Sequence, residues 1–328
     1  MRTASEITVL WSKKNMTKKD FEKIVNHDPF APVRLARFMD GDRPTDKVYI
    51  QIQRENDVDE WECPTGTAVV HGEGYRLISN RAMHNMLREV TDKIKEAHGF
   101  GFEPLMSFGT HTPNLIWNGK AYCERWYSKD VSIKTPAGGS VMLGVEVRNS
   151  YDKTSCAQLG FYAMHVACQN QFHSHNMFGK PFRVVHVGDE GELDEDIPAA
   201  VEAVAREAAG FGRMLPTIER LCNTHLFTTT EFMDFLERCE RETGLVINDV
   251  KIRRELQGCG PTSQVRGLDV DRSTYGDLDS LWAIVNAYTA MTTHDLPGFL
   301  GADKSARFVD FAIKVANEIA ENTIDVEA

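Results

Sequence analysis

Tyr122 to Ile133 reads YCERWYSKDVSI, Val141 to Tyr151 reads VMLGVEVRNSY, and Cys156 to Phe172 reads CAQLGFYAMHVACQNQF. In the second segment Val141, Leu143, Val145 and Val147 recur at every other position, the period of a β-strand. Asp152-Lys153-Thr154 sits between the second and third like a tight hairpin turn, although it lacks the glycine that favours one. These segments predict a meander of at least three antiparallel strands within 103–187, to which Phe182–Val187 adds another.

Working outward, a short helix is expected from Thr17, with Phe21, Ile24 and Val25 on one side. Lys47–Ile52 is β-rich, and Val69–Ile78 is broken by Gly72 and Gly74. From Asn80 to His98 the period changes to that of a helix. Met83, Met86, Leu87, Val90 and Ile94 share a face, Ser79 or Asn80 can cap, and Gly99 stops it. Beyond the acidic run 188–196, helices are predicted near 199–209, 229–242, 277–292 and 303–322. One carries the stripe Leu278, Leu281, Trp282, Val285 and Tyr288; the last carries Phe308, Phe311, Ala312, Val315, Ala316 and Ile319. Residues 257–276 read as a long loop. The expected class is α+β: an antiparallel β-meander flanked by helices, with a mostly helical C-terminal part. In order along the chain this gives an α+β domain at 1–187, an acidic linker at 188–198 and a mostly helical acidic region at 199–328. Whether that last region packs on the same core is left open by the pattern.

The chain has 328 residues, of which 42% are hydrophobic and 26% charged, so a sizeable core can form and a disordered or low-complexity chain is excluded. Its apolar runs, such as Ile7–Trp11, fall short of the about 20 residues that cross a membrane. Met1 does not open a signal-peptide pattern. The seven cysteines are odd in number and scattered, which reads as reduced thiols in a cytoplasmic protein. No Walker-type loop, dinucleotide-binding glycine turn, nucleophile elbow or H-E-x-x-H occurs. No cofactor and no catalytic residue are therefore expected.

The net charge of −11 is unevenly spread. Residues 1–116 hold 16 Lys and Arg against 17 Asp and Glu, residues 117–183 hold 8 against 4, and residues 184–328 hold 13 against 27. The middle is a basic island beside an acidic lobe. Aromatic residues interleave with its cations, and Arg125, Tyr127 and Lys129 share one strand face by alternation. Cations track phosphates while aromatic planes stack on bases. Lys120, Arg125, Lys129, Lys134, Arg148 and Lys153 are thus candidate phosphate contacts, and Tyr127, Tyr151 and Tyr162 candidate stacking residues. One group has metal-ligand types: His165, Cys168, His173 and His175. Strand parity sets Cys168 on the face opposite His165, which argues against a closed site; the three histidines share parity if the strand continues.

Three blocks, Tyr75-Arg-Leu-Ile-Ser-Asn80, Val147-Arg-Asn-Ser-Tyr-Asp152 and His165-Val-Ala-Cys-Gln-Asn170, resemble the phage/plasmid-like family of domains of unknown function numbered 932. Trp282, Asn286-Ala-Tyr-Thr289 and Thr293-His294 are similar to that family's late helix. Lys153 stands where the family prefers Gly, and His165 where it prefers Arg. The resemblance implies a protein of a phage or plasmid, associated with replication or recombination. The element order is also similar, at the level of fold, to Rad52-like single-strand annealing proteins. The leading expectation is a non-catalytic single-stranded-DNA-binding and annealing protein. It would act as a homo-oligomeric ring or filament, away from membranes, with the acidic C-terminal region keeping DNA on the basic face or docking a protein partner. Two other classes stay open. One is a metal-dependent enzyme acting on nucleic acid through His165, His173, His175 and His294; the other is an acidic anti-defence protein.

Overall fold

The computed structural model describes residues 28–40, 42–54, 57–63, 69–72, 74–105, 115–117, 121–165, 170–184, 186, 198–199, 201–205, 208–258, 275–294 and 298–327. The expected N-terminal helix from Thr17 and, but for Pro198, the expected acidic linker lie outside them. The class is α+β, with two antiparallel sheets and a helical C-terminal part. One sheet has the order β1-β2-β3 (Val33–Asp40, Arg43–Arg54, Asp57–Glu62), and β4 (His71–Gly72) also pairs with β2. The other has the order β10-β9-β8-β7-β5, with β6 pairing with β7 and β11 with β9. Its strands are β5 (Glu103–Pro104), β6 (Leu115–Trp117), β7 (Ala121–Lys134), β8 (Ser140–Ser150), β9 (Ala157–His165), β10 (Gln171–Phe172) and β11 (Phe182–Val184).

The described residues fall into two compact units that do not follow chain order. One draws on 1–126, 145–160 and 181–206, the other on 127–144, 161–180 and 207–328. The C-terminal helices therefore share a unit with the ends of β7, β8 and β9, a placement the sequence pattern leaves open.

In the first unit, helix α1 (Asn80–His98) has the expected bounds. The Ser79 side chain accepts the Ala82 N–H, and Gly99 closes the helix at φ 80°, a left-handed conformation that suits a residue without Cβ. Its expected face, Met83, Met86, Leu87, Val90 and Ile94, is buried. The polar ends of the unit are tied by side-chain amides. Asn149 donates to the Ile78 carbonyl at 2.8 Å and to Asn80 Oδ1 at 3.0 Å, Asn80 donates through Nδ2 to the Pro29 carbonyl, and the Asn80 N–H donates to Tyr151 Oη.

In the second unit the single strand expected at 156–172 is two. β10 turns back on β9, pairing Gln171 with Met164 and Phe172 with Ala163. Four-residue α2 (His175–Phe178) and a 3-10 helix (Ala208–Met214) lead to α3 (Leu215–Asn223), α4 (Thr229–Thr243), α5 (Asp249–Leu256), α6 (Leu281–His294) and α7 (Gly298–Glu327). From Leu281 to Thr292, α6 is buried on every side, as expected of a helix apolar all round. Leu278 precedes it and is half exposed, a correction to the expected stripe. The α7 stripe stacks Phe308 on Tyr288 at 3.9 Å and sets Phe311 5.3 Å from Phe235 of α4. Asn170 Nδ2 reaches Tyr275 Oη and the Asn286 carbonyl, while Thr293 accepts the Gln171 N–H.

Gly144 makes room for a ring. A Cβ built there would stand 2.2 Å from Tyr162 Cζ, so the bare backbone of β8 is the floor on which Tyr162 lies. Gly144→Ala should destabilise the protein by at least about 1–3 kcal/mol, the usual cost of overpacking, in urea titration. A second expectation concerns acid. Lys314 and Arg238 hold the Glu242 carboxyl down at about 2, against 4.5 ordinarily. A depressed carboxyl stabilises the fold above its unfolded pKa and ceases to as pH falls through the folded one. The melting-temperature deficit of Glu242→Gln at pH 7 should therefore shrink steadily between pH 4.5 and 2.

Candidate nucleic-acid interface

Two of the cations expected to show on the basic island are covered instead. Arg125 is 4% exposed and Arg148 8%. Both guanidinium groups donate to the buried Glu146 carboxylate, Arg125 Nε to Oε2 at 3.0 Å and Arg148 Nη2 to Oε1. Tyr151 is buried with its hydroxyl engaged by Asn80, and Tyr162 is fully buried over Gly144. Arg125, Arg148, Tyr151 and Tyr162 are therefore corrected from strand-contacting residues to core residues, because period-two alternation gives the face of a strand but not what covers it. Lys120 lies outside the described residues. Lys129, Lys134 and Lys153 are exposed and Tyr127 half-buried, with Lys129 Nζ 5.9 Å from the centre of the Tyr127 ring.

The histidines do not converge either. Among the described residues no three His, Cys, Asp or Glu side chains are grouped to hold a metal. His165 meets Tyr275 edge-on and His173 stacks with Tyr162, while His175 lies 3.6 Å from Asp310. Cys168 and the side chain of His294 lie outside the described residues. The convergence expected from shared parity assumed one continuous strand, and the reversal into β10 removes that assumption.

An aromatic and cationic face does exist, on the first sheet. Val48, Ile50 and Ile52 of β2 are buried, so alternation turns Lys47, Tyr49, Gln51 and Gln53 outward. The register sets Arg34 opposite Gln51, Ala36 opposite Tyr49 and Trp61 opposite Gln53. The outward side chains form a continuous row. The Arg34 guanidinium lies 4.2 Å over the Trp61 ring and donates to Gln51 Oε1 at 2.9 Å. Gln51 Nε2 donates to Tyr49 Oη at 3.2 Å, and Tyr49 meets Phe38 with centroids 4.7 Å apart. All five are partly or fully exposed. Acids are mixed in, since Asp46 lies 3.5 Å from Lys47, so stacking rather than phosphate attraction is the stronger asset of this face. Arg34, Phe38 and Trp61 were missed in the sequence because β1 and β3 were not recognised as strands. The usable signal was the shared parity of Arg34, Ala36 and Phe38 against that of Tyr49 and Gln51.

The chain matches no family model, no curated protein and no solved structure. The resemblance described above therefore rests on its quoted motifs. Those motifs meet in space as buried polar networks: Asn80 with Asn149 and Tyr151 in one unit, Asn170 with Asn286 in the other.

Removing the charge on Glu146 leaves two guanidinium groups buried beside a neutral amide. Glu146→Gln should cost about 3–5 kcal/mol in urea titration, the usual penalty for breaking a buried pair. Lys134→Ala, at an exposed site, should stay within about 0.5 kcal/mol of wild type.

Proposed function

We propose that the protein binds single-stranded DNA on the outer face of its first sheet and anneals it as a ring or filament, without a catalytic step. The observation that supports this is the row Trp61–Arg34–Gln51–Tyr49–Phe38. Half-exposed rings offer planes to unstacked bases, and cations at the same face meet the backbone between them. A duplex hides its base faces and cannot use such a row, so the reading is strand-selective. The balance of −14 over residues 184–328 disfavours DNA along that part of the chain and leaves it suited to a protein partner. Annealing requires bases presented in sequence, which several subunits side by side provide.

Fluorescence anisotropy with a labelled oligothymidine and the matching duplex, across a salt series, tests this. The single strand should bind better than the duplex. With Arg34 and Lys47 as the two phosphate contacts, the single-strand salt slope should be only about −1.4, at about 0.7 per contact. Trp61→Ala and Tyr49→Ala should each weaken binding about tenfold or more, since a base–aromatic stack contributes about 1–3 kcal/mol. Equal binding of both forms, or affinity unchanged in both variants, would overturn the proposal.

A further inference from the structure

A second feature of the first unit lies apart from the sheet face. A cavity of about 440 Å³ is lined by His71, Tyr75, Lys153, Cys156 and His186, with Gly72 and Gly74 at its wall. That volume falls within the range of small-molecule sites. A Cβ added at either glycine meets no atom within 4 Å, so the wall there is open.

The polar groups of the cavity are held in one protonation state and then left unused. His71 Nε2–H donates to the Tyr151 carbonyl at 3.1 Å, and His186 Nδ1–H donates to the Arg76 carbonyl at 3.1 Å. In a neutral imidazole the opposite nitrogen is then an acceptor. Desolvation holds both imidazoles below their ordinary pKa, helped at His71 by the Lys153 charge, so both are neutral at pH 7. Tyr75 contacts both rings, at 3.8 Å from His71 and 5.2 Å from His186, and burial keeps its phenol protonated. His71 Nδ1, His186 Nε2 and Tyr75 Oη are all buried without a hydrogen-bond partner. All three residues line the cavity, and a buried polar atom without a partner is a group for a bound molecule to engage.

Lys153 adds a second, independent sign. Its φ of 66° makes it the one non-glycine residue with positive φ among those described. This is a conformation that costs any side chain with a Cβ, so the turn carries strain that glycine would relieve. Such strain is characteristic of residues kept for what their side chain does. The preceding Asp152 accepts from the Thr154 N–H and hydroxyl. The ligand that fits has an uncharged flat body that donates to imidazole nitrogens and accepts from a phenol, and one anionic group within reach of an exposed ammonium.

We propose that this cavity is a nucleotide pocket, seating a nucleoside monophosphate with its base against His71, Tyr75 and His186 and its phosphate at Lys153. The choice of a nucleotide over other donor-bearing heterocycles rests on the reading of the protein as one that binds nucleic acid. The nucleotide is either free or one unit of a bound strand.

Isothermal titration calorimetry of the full chain with AMP, GMP, CMP, UMP and dTMP, and with the corresponding nucleosides, tests the assignment. At least one monophosphate should bind saturably at one per chain. Tyr75→Phe removes a hydroxyl that bonds to nothing in the protein, so the fold should be unaffected while affinity falls about tenfold, the value of one hydrogen bond. Lys153→Gly should melt higher than wild type yet bind the monophosphate about tenfold more weakly, with nucleoside affinity unchanged. Displacement of the monophosphate by oligothymidine identifies the strand as the source, and simultaneous binding identifies the free nucleotide; both support the pocket. No saturable binding, or equal affinity in both variants, overturns it. Strand binding at the sheet face with no nucleotide binding sinks the pocket alone, whereas nucleotide binding without strand binding leaves the pocket standing and sinks the proposed function.

Discussion

Glu146 receives two guanidinium groups where β8 is buried on both faces. Charges taken out of water are tolerated only where they are paired, and this carboxylate is the partner of both Arg125 and Arg148. The interaction settles several matters together. It allows two strong cations to sit in β7 and β8 without disrupting the core. It also withdraws these two from solvent, so Arg125 and Arg148 are not open to a ligand, whereas Lys129, Lys134, Lys153, Lys180 and Arg183 stay exposed. Charge reversal at Arg125 would report on folding before it reported on any ligand.

The same logic of paired polar groups runs through the three quoted sequence blocks. Asn149 donates to the Ile78 carbonyl and to Asn80 Oδ1, Asn80 donates to the Pro29 carbonyl, Tyr151 receives a helix-start N–H, and Asn170 bridges Tyr275 and the Asn286 carbonyl. Spacings that look like signatures of chemistry here place buried amides whose N–H groups are paired, although Asn149 Oδ1 and Asn286 Oδ1 have no partner among the described residues. Lys153, just beyond the second block, differs: its backbone is left-handed and its side chain stays exposed.

Much of the fold was legible because local rules were sufficient. α1 was bounded by a capping serine, a 3.6-residue stripe and a left-handed glycine, and β7 and β8 by alternation and the turn at Asp152. What escaped had non-local causes. Both faces of β7 are covered near Arg125, which a period of two does not reveal. Tyr162 looks like a stacking residue until Gly144 is seen beneath its ring, a slot made by the neighbouring strand. β9 was read through to Phe172 because its apolar run does not announce the reversal into β10. The row from Trp61 to Phe38 is assembled across three strands from residues 27 positions apart at most in sequence, each ordinary by itself.

Under the proposed function, strand recognition falls to the half-exposed rings of β1, β2 and β3, not to the cation-rich strands that follow them in sequence. The most direct measurement is photocrosslinking of a single strand carrying 5-iodo-deoxyuridine, followed by mass-spectrometric mapping of the modified peptides. Crosslinks concentrated at Phe38, Tyr49 and Trp61 are the predicted result. Crosslinks confined to Tyr122–Tyr162, with none in Val33–Glu62, would contradict it.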